Sequence, residues 1–130
     1  MPLVVKTKVK PSSIEGLGLY ADEDISKGSV VWLHHPILDG WFYANELNHY
    51  SESLKDYIKH FCCYDKEKEA WIKACDNVNW MNHSKKPNLN APDYYIHIAA
   101  KDIKAGDELT LNYDTIGDDD EFFGDEFTTS

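Results

Sequence analysis

Residues 80–88 read Trp80-Met81-Asn82-His83-Ser84-Lys85-Lys86-Pro87-Asn88, and residues 107–114 read Asp107-Glu108-Leu109-Thr110-Leu111-Asn112-Tyr113-Asp114. The first segment is an Asn-His-Ser turn closed by Pro-Asn, and the second is a Glu-Leu-Thr strand followed by a tyrosine. Upstream, residues 14–21 read Ile14-Glu15-Gly16-Leu17-Gly18-Leu19-Tyr20-Ala21 and contain a Gly-x-Gly turn. Each segment alone is a common turn or loop, so the order and co-occurrence of all three decide the interpretation.

This combination resembles the signature motifs of the SET-domain protein lysine methyltransferases, over roughly residues 5–115. The resemblance implies a SET-domain (β-clip) fold, which is mainly β with an α insertion and has small curled sheets and a knot-like C-terminal segment. We therefore expect a SET domain at residues 1–116 with a variable helical insert at about 40–76, followed by a tail at 117–130. The length of 130 residues fits one compact domain.

Hydrophobic patterns predict local structure independently of the resemblance. Apolar residues predict an opening strand over residues 3–9, a second strand over 29–33 after the turn at Lys27-Gly28, and strands at 95–100 and 108–111 separated by a turn at 104–107. Apolar residues spaced by three and four predict one amphipathic helix from Ala44 to about Phe61, with its apolar stripe in the core. Residues 62–72 fit either a hairpin or a continued helix.

The resemblance implies methyl transfer from S-adenosylmethionine to the amine of a lysine. The amine must be neutral to react, although a free lysine has a pKa of about 10.4, so the site must favour loss of a proton. By resemblance, Tyr113 is the catalytic residue, and its hydroxyl lies beside the transferred methyl group and also contacts the cofactor. Asn82 and His83 match the residues that hold the cofactor, and Leu17 and Gly18 match the loop that contacts it through the backbone.

Other residues border the expected site. Asn88 closes its motif, and we interpret it as a structural turn residue. Leu111 stands where family members often carry Phe or Tyr, so the number of methyl groups transferred stays open. The family's zinc-binding cysteine cluster after the catalytic tyrosine is missing; in such members an aromatic C-terminal segment covers the cofactor and completes the lysine channel. The candidates for that role are Phe122, Phe123 and Phe127.

The charge balance of 13 basic and 23 acidic residues gives a formal net charge of −10. This disfavours direct binding to nucleic acid or to an anionic membrane and suits a basic protein or peptide, such as a histone tail. The last fourteen residues hold six of the acids and no base, which is typical of a solvated tail or of a segment that attracts basic substrates.

Cysteines and histidines give no metal site. Cys62, Cys63 and Cys75 are odd in number and lack Cys-x-x-Cys spacing, and the histidines match no familiar ligand set. The sequence shows no signal peptide or membrane span, so we expect an intracellular protein, with nucleus or cytoplasm unresolved. It is expected to be a monomer or a homodimer.

A second interpretation is a non-catalytic SET-like module that binds a basic protein partner. Lys85 stands where many members have cysteine, and Trp80-Met81 before Asn82 is unusual. Asn82, His83 and Tyr113 are nevertheless all present, which favours the enzyme.

Overall fold

The computed structural model describes residues 3–36 and 38–116, and within these ranges the chain forms ten short β-strands, one α-helix and two 3₁₀ helices. The strands are β1 (Thr7–Pro11), β2 (Leu17–Ala21), β3 (Val30–Leu33), β4 (Gly40–Tyr43), β5 (Cys63–Asp65), β6 (Ala70–Lys73), β7 (Asn82–His83), β8 (Leu89–Asp93), β9 (Ile96–Ala99) and β10 (Thr110–Leu111). Helix α1 spans Glu52–Phe61, and the 3₁₀ helices span Ala44–His49 and Asn77–Trp80. None of these helices is long and apolar enough to cross a membrane.

The strands form four small sheets. Three are antiparallel, with the orders β1-β2, β3-β9-β8 and β4-β6-β5, and the fourth pairs β7 with β10 in parallel. This confirms the predicted fold class, mainly β with an α insertion.

The core lies where β2, β3, β8 and β9 meet the segment that leads into β10. Leu19, Leu89 and Leu109 have no exposed surface, and Leu111 is 1% exposed. Each of these leucines belongs to or adjoins one of the three motif segments, so burial of apolar surface holds the motifs together.

The predicted turns are confirmed, whereas the opening strand is only partly right. Gly28 and Gly106 have φ of 88° and 98°, a conformation that glycine adopts without strain. Regular pairing begins at Thr7 rather than at Leu3. Leu3 forms an isolated bridge to Trp32, and Val4 N–H donates to Val31 O at 3.0 Å, so the first apolar residues pair with β3 instead of extending β1.

The single helix predicted from Ala44 to Phe61 is wrong. Ser51 adopts an extended conformation (φ −64°, ψ 157°), and its side chain accepts a hydrogen bond from Leu54 N at 3.2 Å. Ser51 is therefore the N-cap of α1, and it separates this helix from the preceding 3₁₀ helix.

The expected burial of the helical stripe is also wrong. In α1 only Ile58 is buried, whereas Leu54 and Tyr57 are 42% and 39% exposed. The helix packs against β6, and Phe61 at its end contacts Trp80 with ring centroids 5.7 Å apart, so its stripe is only partly covered.

Residues 62–72 form the hairpin β5–β6, which settles the alternative that the sequence left open. Together with β4, this hairpin builds a separate sheet inside the expected insert, and α1 packs against that sheet. The Asp39 carboxylate links the segment before β4 to the segment after β6. Its Oδ2 accepts from His35 N and its Oδ1 accepts from Cys75 N, each at 2.7 Å. Asp39 is 1% exposed, so these charge-assisted bonds are shielded from water.

His97 makes stability depend on pH. This residue is 8% exposed, and burial lowers its pKa from 6.5 to about 4. The unfolded chain takes up a proton near pH 6.5, whereas the folded protein does so only near pH 4. The contribution of His97 to the free energy of unfolding is therefore full above pH 6.5. It falls by up to about 3 kcal/mol as the pH drops from 6.5 to about 4.

The measurement is urea unfolding at several pH values for the wild type and for His97→Leu. We expect the variant to lose less stability between pH 6.5 and about 4. The pKa of His34 is also lowered by burial, but that contribution is present in both proteins and cancels in the difference. Parallel curves for the two proteins would contradict the prediction.

Candidate active site

The motif segments at residues 80–88 and 107–114 lie side by side because β7 pairs with β10, with Thr110 opposite Asn82 and Leu111 opposite His83. Asn88 strengthens this pairing. Its Nδ2 donates to Glu108 O at 2.8 Å, and its Oδ1 accepts from Thr110 N at 2.9 Å. The structural role predicted for Asn88 is confirmed, although its side chain bonds to the neighbouring segment rather than to its own turn.

The Asn82 side chain joins β7 to the glycine-containing loop. Its Nδ2 lies within hydrogen-bond distance of Glu15 O (3.1 Å), Leu17 O (3.0 Å) and Glu108 Oε2 (2.9 Å). These three acceptors fix which end of the amide carries the nitrogen. The opposite atom, Oδ1, has no donor among the described residues and is available to a ligand.

The Glu108 carboxylate orients this arrangement. It accepts from Ser12 Oγ at 2.9 and 2.8 Å through its two oxygens, and from Asn82 Nδ2. It also lies against Gly18, where an added Cβ would overlap Oε2 and approach Ser12 Cβ to 3.0 Å. Glycine at position 18 therefore allows the carboxylate to reach Asn82.

His83 and Tyr113 form a second contact between the motifs. Tyr113 N–H donates to His83 Nδ1 at 3.2 Å, and the two rings stack with centroids 6.3 Å apart and planes at 26°. Since Nδ1 accepts this bond, a neutral ring carries its proton on Nε2, which lies 4.0 Å from Asp114 Oδ2.

The Tyr113 hydroxyl donates to Met81 O at 2.6 Å. Burial of the hydroxyl, reinforced by the nearby Cys63 sulfur, raises the pKa of Tyr113 well above 10. The phenol therefore stays protonated, and its one proton is committed to Met81. Its oxygen lone pairs remain available as acceptors.

An open groove of about 1380 Å³ runs past these groups. Of the residues predicted for the site, Leu17, Asn82, His83 and Tyr113 line it together. Gly18 is buried under Glu108 and does not line it; whether its backbone touches a ligand stays a prediction. Leu111 lies in the core, because its place in β10 turns it inward, and it does not line this groove; whether it borders a substrate channel stays a prediction. Phe122, Phe123 and Phe127 lie outside the described residues.

Sequence reasoning missed several groove and network residues. Glu108 and Ser12 were not predicted to act on Asn82, although Glu108 stands within the third motif. Cys63, delivered by the insert, lines the groove near Tyr113, and His97 lines its inner wall. Their contacts join residues distant in sequence, and no local pattern reports them. No three His, Cys, Asp or Glu side chains among the described residues are grouped to hold a metal ion.

The SET domain family profile matches residues 16–114, and the chain therefore belongs to the SET-domain family. Members of this family are in general S-adenosylmethionine-dependent methyltransferases. A search of curated proteins gave no significant match.

Solved structures of SET-domain proteins resemble the chain. A humanized mutant of the Chaetomium thermophilum Polycomb Repressive Complex 2 bound to an inhibitor gives a TM-score of 0.65 at 26% identity, covering 85% of this chain and 15% of that chain. An apo form of that complex with two mutations in Ezh2 gives 0.68 at 26% identity, with the same coverages. A Plasmodium falciparum protein assigned as a histone methyltransferase gives 0.63 at 20% identity, covering 85% and 95%, which is a likeness of fold alone.

The contact between Gly18 and Glu108 predicts the effect of Gly18→Ala. The added methyl group should displace the carboxylate from Ser12 and Asn82 and lower the free energy of unfolding by about 1–3 kcal/mol. Gly40→Ala is the matched control, because the nearest atom to its Cβ is Lys73 Cβ at 3.9 Å. Chemical denaturation of both variants measures the difference.

A double-mutant cycle isolates the contact. In a Glu108→Ala background, Gly18→Ala should lower the free energy of unfolding no more than Gly40→Ala does, since the overlapping carboxylate is absent. An equal cost of Gly18→Ala with and without Glu108 would show that the contact is not the cause.

Proposed function

We propose that the protein is a lysine N-methyltransferase that uses S-adenosylmethionine to methylate a lysine in a basic, flexible protein segment such as a histone tail. The observation that carries the proposal is the shared groove. It brings the Asn82 amide, the loop before β2 and the Tyr113 ring to one surface.

The polar groups on one side of the groove suit the amino-acid part of the cofactor. Asn82 Oδ1 is a fixed acceptor without a donor among the described residues, which matches the ammonium group of a methionine moiety. Glu15, Gly16 and Leu17 border the same side, and a Cβ at Gly16 would have no atom within 4 Å. The backbone there is open to a ligand.

The bound cofactor would supply an electrophilic methyl group on a sulfonium, and the residues present would position the attacking amine. Tyr113 cannot serve as a strong base, because its raised pKa keeps the phenol protonated. Its oxygen can instead accept a hydrogen bond from the amine or weak contacts from the methyl C–H groups. Rate enhancement then comes from alignment of the reacting atoms, and the amine loses its proton to solvent.

Charge supports a basic substrate. The residues that line the groove include five carboxylates and three lysines, so acidic side chains outnumber lysines along its wall. The whole chain carries −10, which attracts cationic segments at low ionic strength. Histones, whose tails are basic and flexible, are therefore the first substrates to test.

Tyr113→Phe tests the proposal. Removing the hydroxyl should lower kcat for methyl transfer by about 10²-fold or more, because a preorganised group beside the reacting atoms is lost. Mass spectrometry of core histones and single-lysine peptides incubated with S-adenosylmethionine measures methylation.

Tyr50→Phe is the matched control. The Tyr50 hydroxyl donates to Glu46 Oε2 at 3.5 Å, away from the Asn82 network, and Tyr50 does not line the groove. We expect this variant to retain wild-type turnover. Equal turnover by Tyr113→Phe and wild type, or no methylation by folded wild type, would refute the proposal.

A further inference from the structure

His97 is a buried polar side chain whose hydrogen bonds are not satisfied within the described chain. Its Nδ1 is fully enclosed without a partner, and Nε2 has no partner among the described residues either. Such groups are rare in folded proteins, because each unmade hydrogen bond costs free energy. Because Nδ1 is fully enclosed, a partner from outside the chain can reach only Nε2.

The groove gives that partner access. His97 lines the groove and is only 8% exposed, so it lies in the floor rather than at the rim. Since Nδ1 is the enclosed ring nitrogen, Nε2 is the one that retains contact with the groove. The ring packs against Trp32 with centroids 4.8 Å apart, which fixes its place in the floor.

Trp32 is a second unsatisfied residue at the same place. It is 2% exposed, it also lines the groove, and its Nε1 has no partner among the described residues. This Nε1 is fully enclosed, so a ligand in the groove cannot reach it, and Trp32 contributes to the floor by holding the His97 ring.

We propose that His97 forms a subsite in the groove floor that accepts one uncharged, hydrogen-bonding side chain of the substrate, close to the lysine that is methylated. The inference rests on the proposed function, since it takes the groove to be the peptide site. It assigns sequence selectivity to a residue on β9, away from the three motif segments.

Depth and charge determine which side chain fits. A peptide backbone lying along the groove stays near the rim, whereas a side chain reaches the floor. A charged group would lose its hydration in the floor, which costs more free energy than burying a neutral hydroxyl or amide. A neutral imidazole both donates and accepts, so a hydroxyl or an amide is its matching partner.

The test compares peptides that differ only in hydrogen bonding. Basic peptides with a single lysine carry either threonine or the isosteric valine at each position flanking that lysine. Their affinities are measured by fluorescence anisotropy with S-adenosylhomocysteine present, so that binding is read without turnover. For the wild type we expect threonine to bind about 2- to 10-fold more tightly at one position.

Three variants identify the source of that preference. His97→Leu should bring the threonine-to-valine ratio to about 1 while leaving valine peptides bound, and His97→Gln should restore part of the preference. His60→Leu is the matched control, since His60 lines the same groove but is exposed. This control should keep the full preference.

The outcomes separate the inference from the proposed function. No threonine preference at any position in the wild type, a preference that survives His97→Leu, or no peptide binding at all would overturn the role of His97. The same peptides are then incubated with S-adenosylmethionine. A preference that depends on His97 without any methylation would support the subsite and refute the methyltransferase.

Discussion

The Glu108 carboxylate joins three segments that are distant in sequence. It accepts from Ser12 and from Asn82, and it lies against Gly18. This one group sets the distance between the loop before β2 and the paired strands β7 and β10. It also fixes the Asn82 amide so that nitrogen faces the protein and oxygen is left for a ligand. The glycine at position 18 is needed because any side chain would displace the carboxylate.

Around this contact the protein divides into a packed body and an attached insert. The body buries the leucines of β2, β8 and the segment leading into β10, and it carries Asn82 and Tyr113. The insert is closed at its base by Asp39 and contributes Cys63 to the groove near the Tyr113 hydroxyl. Tyr113 is therefore positioned by the body, whereas the groove beside it is shared with the separate sheet β4-β6-β5.

Local signals made much of this predictable. The turns at Gly28 and Gly106, the alternating strand at residues 96–99 and the three motif segments are each encoded within a few residues. Residues 44–61 show the limit of such local signals. Their apolar spacing predicted one helix, whereas the Ser51 N-cap divides the range into a 3₁₀ helix and α1. Periodicity also could not show that Leu54 and Tyr57 stay largely exposed in the part of the chain that the structure describes. The roles of Glu108 and His97 depend on neighbours from other strands, so only the folded arrangement shows them.

The most direct test of the central claim is calorimetric titration of S-adenosylmethionine into the wild type, Asn82→Ala and Asn48→Ala. Asn48 is an exposed residue of the first 3₁₀ helix and does not line the groove. The account predicts that the wild type and Asn48→Ala bind equally, and that Asn82→Ala binds about 10- to 100-fold more weakly, since a hydrogen bond to a charged group is lost. Equal binding by all three proteins, or no binding by the folded wild type, would contradict it.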